Sequence, residues 1–108
     1  MNQNTLKAVN WRAAIMLPQN PQPLHCRAIE VSEKTVVLQV PIELKNIGEF
    51  RVYLDVPDPL SGAPVYLDFK VKVNAITLMG QISQFRHIMN ITEIKPQQKE
   101  FLLKLLNR

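Results

Sequence analysis

Val65-Tyr66-Leu67-Asp68-Phe69-Lys70-Val71-Lys72-Val73 decides how this chain folds. Val65, Leu67, Phe69, Val71 and Val73 are apolar, and the residues between them are polar or carry a polar tip. A period of two held this long means a strand with one face buried and the other in water. Its length also suits a strand that curves around a barrel.

Working outward, Val52, Leu54 and Val56 alternate with Arg51, Tyr53 and Asp55 in a second strand of the same kind. Between the two lies Pro57-Asp58-Pro59-Leu60-Ser61-Gly62-Ala63-Pro64, whose prolines and glycine cannot continue a ladder and so predict a hairpin loop. Upstream, Ala13 to Leu17 is a short apolar segment stopped by Pro18, and a Pro-rich loop, Gln19 to Pro23, leads into strands over Leu24–Val31 and Thr35–Val40. Asn46-Ile47-Gly48 marks the turn into the Phe50 strand. Downstream of a turn at Gly80, the residues Phe85, His87, Met89 and Ile91 share one strand face. Residues 1–11 read as a flexible N-terminal segment.

The period changes at the end of the chain. Pro96 fits the first turn of a helix, and Phe101, Leu102, Leu105 and Leu106 form one apolar stripe, with Leu103 beside it and half exposed. A helix over 96–107 this short draws its stability from packing on the strands. About six strands and one C-terminal helix, with no helices between the strands, predict an all-β antiparallel barrel or sandwich with the helix against one side.

At 108 residues the chain is read as one domain, 1–108, with a single core. It is 46% hydrophobic and 20% charged, as a soluble globular protein is, and no apolar run is long enough to span a membrane. Met1 to Thr5 has no basic region followed by an apolar one, so the expectation is no secretory signal and a cytoplasmic protein. The lone Cys26 excludes an internal disulfide and a Cys-rich zinc site. A net charge of +4 permits anionic partners. However, the basic residues are scattered and aromatics do not interleave with them, which makes a nucleic-acid-binding barrel the outside reading.

Chemistry is sparse. His25 and Cys26 are adjacent on a strand and point to opposite faces, so they cannot form a nucleophile–base pair. The expectation is an exposed His25 and a small buried Cys26. His87 reads as a partly buried, hydrogen-bonded histidine, and no His and carboxylate cluster has metal-ligand spacing. Asp55 and Asp68 are read as outward-facing on neighbouring strands and Asp58 as a turn residue, all three solvated. Gly48, Gly62 and Gly80 are isolated, so no phosphate-cradling loop is present. No catalytic residues, metal or cofactor are expected, and an enzyme is not.

One segment remains, Ala28-Ile29-Glu30-Val31-Ser32-Glu33-Lys34-Thr35. A strand runs into Glu-x-Ser-x-x-Thr and a second strand follows at once. Ser32 and Glu30 at this corner, approached by Lys7, Arg12 and Arg27, have the groups to hold a dianionic planar ligand. The same residues also make an ordinary β-turn, and on the residues alone the turn is the favoured reading.

The whole pattern, from about Arg12 to Leu106, resembles the PilZ domain, a bacterial family associated with binding cyclic di-GMP. Arg27 through Leu38 looks like the family strand bearing (Asp/Asn)-x-Ser-x-x-Gly. Asn74–Gly80 with Phe85–Ile91 is similar to its penultimate turn and last strand, and Glu100–Leu106 to its C-terminal helix. The resemblance implies a six-stranded antiparallel barrel with a C-terminal α-helix. It also implies a signalling or adaptor module in cyclic di-GMP-linked regulation.

Two departures stand out. The family's Arg-x-x-x-Arg is missing from Leu6–Arg12, where Lys7 and Arg12 are the nearest substitutes at a different spacing. In the second motif Glu30 takes the place of Asp/Asn and Thr35 that of Gly, and only Ser32 matches outright. Losing several charge-assisted bonds, each worth about 1.5–3 kcal/mol, weakens binding by orders of magnitude. The expectation is therefore a member with weak or no cyclic di-GMP binding that works through a protein partner. The candidate ligand residues are Lys7, Arg12, Arg27, Glu30, Ser32 and Thr35, and the alternative is a true receptor using them in altered geometry.

Overall fold

A computed structural model describes residues 5–107. Six strands, β1 (Lys7–Met16), β2 (Leu24–Val31), β3 (Thr35–Val40), β4 (Glu49–Pro57), β5 (Pro64–Met79) and β6 (Gln84–Ile94), precede a helix, α1 (Pro96–Leu106). They close into a barrel in the order β1-β2-β3-β6-β5-β4, with every pairing antiparallel. This is the barrel-plus-helix that the PilZ resemblance implied, and closure decides between barrel and sandwich.

The alternation of β5 fills the interior as the sequence predicts. Leu67, Phe69 and Val71 are buried, and opposite them on β4 stand Leu54, Val52 and Phe50, also buried. Ile15, Ala28, Val36, Leu38 and Met89 complete the ring from the other four strands. Full burial of the Val, Leu, Ile, Phe and Met side chains among them contributes about 1.5–3 kcal/mol each.

Three boundaries differ from the sequence reading. The first correction is to the flexible segment 1–11. Residues 1–4 lie outside the described residues, but Lys7 already pairs with Val31, and β1 is continuous to Met16. Val9, Trp11, Ala13 and Ile15 do turn toward the core, yet alanines at 8, 13 and 14 fall on both faces, and a bulge between Ala8 and Trp11 interrupts the register. Second, β5 runs on to Met79 past a bulge between Val73 and Ala75, which shifts the phase of its alternation and hides the continuation from the sequence pattern. Third, Pro57 and Pro64 pair at the strand ends, leaving the turn to residues 58–63. Gly62 there sits at φ 75°, a value that favours glycine.

Helix α1 opens with Pro96 in its first turn and buries Leu102 and Leu106. Phe101 and Leu105 pack half-buried against the same cluster. Its docking is polar as well as apolar. β6 pairs with β5 only as far as Ile94 opposite Phe69, and Gln98 takes over beyond that point. The Asp68 backbone N–H donates to Gln98 Oε1 at 2.9 Å, and Gln98 Nε2 donates to Asp68 Oδ1 at 2.9 Å. Asp68 also receives Arg51 Nη1 at 2.7 Å. The expectation of a merely solvated Asp68 is thus corrected. The bond from Gln98, reinforced by the Lys95 and Arg51 charges, holds its carboxyl below the usual carboxylate range despite partial burial.

His87 is fully buried on the inner face of β6. Leu44, in the loop joining β3 to β4, donates its N–H to Nε2 at 3.0 Å. Nδ1 must then carry the proton, and it lies 3.2 Å from the Phe85 carbonyl. The ring is held neutral: burial lowers its pKa, against smaller opposing effects from the Phe85 carbonyl and the Glu43 charge.

Because the folded pKa is depressed, the unfolded chain takes up the proton first, and stability falls as pH drops below the ordinary histidine value of about 6.5. Chemical denaturation between pH 7.5 and 5 (a range set around that value) should show this loss, and His87→Gln should flatten it. Gln98→Ala should cost about 1–3 kcal/mol by leaving the Asp68 N–H unpaired, measured by urea unfolding.

Candidate functional site

The corner between β2 and β3 is built by Ser32. Its N–H donates to the Thr35 carbonyl at 2.8 Å, and its Oγ accepts from the N–H of Thr35 at 3.1 Å and of Lys34 at 3.4 Å. The side chain caps its own turn, as Ser does when its hydroxyl stands in for a backbone acceptor. Only 1% of Ser32 is exposed, so the hydroxyl is occupied and covered. These bonds make the turn that the residues alone favoured over a ligand site. Thr35 continues as a β3 residue opposite Asn90 and is not in the positive-φ region that would demand glycine.

Glu30 is also engaged. It forms an ion pair with Arg86 of β6, reaching across the intervening β3. Both side chains are about 30% exposed, which puts the pair on the outer wall. Beneath it lies Val37, opposite Glu30 in register and fully buried although outside the inner core. Arg86 escaped the sequence reading, since 56 residues separate the partners and no local spacing signals the pair.

The basic candidates divide into two places. Lys7 pairs with Val31, next to the Ser32 turn. Arg12 and Arg27 are exposed and directly opposite one another across β1 and β2, and Arg12 also faces Asp55 across β1 and β4. Arg27 Nη1 donates to Asn10 Oδ1 at 2.7 Å. Arg12, Arg27, Asn10 and Asp55 line a shallow depression of about 250 Å³ whose other wall is the hairpin with Gly62 and Pro64. A larger open groove of about 780 Å³ runs between the Glu33–Thr35 turn, β6 and Lys99 of the helix. Lys99 reaches Glu33 at 3.5 Å across it, tying helix to turn. The structure therefore separates the six candidates: Lys7, Glu30, Ser32 and Thr35 sit toward one end of the barrel, and the Arg12–Arg27 pair lies farther along its wall.

Nucleophilic chemistry has little support here. Cys26 is half-buried against the core, and burial pushes its thiol up to about 12, while His25 is exposed. Such a thiol is not the thiolate that nucleophilic attack needs. Among the described residues no group of three His, Cys, Asp or Glu is placed to hold a metal ion, and no helix is long and apolar enough to cross a membrane.

No family model and no curated protein matches the sequence. The fold does match a solved structure, that of Bacillus subtilis inhibitor of motility (MotI/DgrA), with a TM-score of 0.83 at 11% identity. The match covers all of this chain and half of that one.

Replacing Ser32 by Ala should cost about 1 kcal/mol in chemical denaturation, because the Thr35 N–H loses its acceptor. Glu30→Ala should cost no more than about 1 kcal/mol, as befits a half-exposed ion pair.

Proposed function

We propose that this chain is a PilZ-like signalling or adaptor module, bacterial and cytoplasmic, in cyclic di-GMP-linked regulation. It binds the nucleotide weakly or not at all and acts by contact with a protein partner. The observation that carries this reading is the state of the Ser32 turn. Its hydroxyl is spent within the turn and Glu30 is spent on Arg86, so neither is presented to a ligand. A shared fold with a protein named as an inhibitor of motility supports an adaptor role without enzymatic activity. The exposed side of α1 and the 57–64 hairpin, where Leu60 is 86% exposed, offer contact surfaces.

A second reading draws on one geometric fact. Arg12 and Arg27 stand directly opposite across two paired strands, and two guanidinium groups so placed suit phosphates or the faces of purines. This is the true receptor, using a basic pair in place of the family's clamp. A nucleic-acid-binding barrel is the remaining alternative.

Isothermal titration calorimetry with cyclic di-GMP separates these. The adaptor reading expects no heat, or a dissociation constant well above the micromolar range. Micromolar or tighter binding that disappears in Arg12→Ala and Ser32→Ala would overturn it in favour of the receptor. Salt-dependent retention on single-stranded DNA or RNA, with a slope of several phosphates, would favour the nucleic-acid barrel instead.

A further inference from the structure

β5 outlasts one of its partners. From Pro64 to Lys72 it pairs with β4, but β4 begins at Glu49 opposite Lys72 and goes no farther. Val73 to Met79 pairs with β6 alone. Among the described residues, the other edge of this segment has no backbone partner, a row of N–H and C=O groups open to a further strand. Among the described residues, the loop between β3 and β4 makes no backbone hydrogen bond to it. That loop lies over the inner face, where Leu44 meets His87, and the hairpin tip beyond stays open, with Leu78 60% and Ile82 51% exposed.

Proteins ordinarily blunt such an edge with lysine, proline or a bulge placed within it. None of these protects Ala75–Met79. No charged residue and no proline occurs between Lys72 and Arg86. The bulge at Val73/Ala75 comes at the start of the segment, and register with β6 is unbroken from Ala75 opposite Ile88 to Met79 opposite Gln84. Ile76, Thr77 and Leu78 favour extended backbone.

We propose that Val73–Met79 is the edge by which two copies of this chain associate, strand against strand and antiparallel about a two-fold axis. Only an extended backbone satisfies the open groups, and this segment supplies a complement to itself. Pairing centred on Ile76 sets Val73 against Met79 and Ala75 against Thr77, and no charged residue lies within the paired segment, so no like charges meet. That matters in a chain of net charge +4, whose copies repel over much of their surface. The uncharged edge is where they can approach. Seven residues of strand, about 23 Å, make a small interface, so the dimer is reversible and depends on concentration.

The association is independent of nucleotide binding and is tested by sedimentation velocity on the full chain over a concentration series. The wild type should pass from monomer to dimer as concentration rises. Thr77→Lys/Leu78→Lys changes two exposed side chains without removing a backbone bond, and it should raise the dimer dissociation constant at least ~tenfold, with circular dichroism confirming an intact fold. Tyr66→Lys, exposed on the outer wall, should dimerise like the wild type. A wild type that is monomeric throughout would overturn the proposal and leave the edge to a strand of another protein. Equal dimerisation by the double variant, or equal loss in Tyr66→Lys, would overturn it too.

Discussion

The pairing of β1 with β4, from Arg12 opposite Asp55 to Met16 opposite Arg51, turns a six-stranded sheet into a barrel. Without it β1 and β4 would be two open edges, and the inner residues of both strands would face water. With it, Ile15 sits opposite Val52 and Ala13 opposite Leu54, all four buried. Closure also fixes the barrel's ends. The loop between β3 and β4 crosses over His87 at one place, and α1 docks where β6 stops, through Gln98 on Asp68 and through buried Leu102 and Leu106. Among the described residues, the edge left unpaired, Val73–Met79, is the stretch of β5 that extends past the closed part.

Much of this was legible in the sequence because it rests on local periodicity. β2 and β3 run over the residues predicted for them, and the Leu102/Leu106 stripe lies where helical spacing put it. What escaped was what periodicity does not encode. Bulges in β1 and β5 broke the alternation that would have extended both strands. The Gln98–Asp68 clamp spans 30 residues and Glu30–Arg86 spans 56, and neither leaves a spacing that a sequence displays.

The candidate site shows the same division. A Ser between two acids at a strand corner has the composition of a ligand site and of a turn. Side-chain hydrogen bonds distinguish them: Ser32 Oγ accepts from Thr35 and Lys34, and Glu30 pairs with Arg86. These contacts give the segment a structural role that survives whether or not a nucleotide binds. They also explain how a β-branched Thr35 is accommodated, since extended backbone there imposes no need for glycine.

The most direct test of the Ser32 corner as a structural turn is amide hydrogen exchange at Ser32 and Thr35, followed by NMR with and without cyclic di-GMP. Both N–H groups are bonded within the turn, at 2.8 Å and 3.1 Å. Protection comparable to the neighbouring core strands, unchanged by the nucleotide, is the predicted result. Loop-like exchange in the free protein that slows sharply when cyclic di-GMP is added would contradict it.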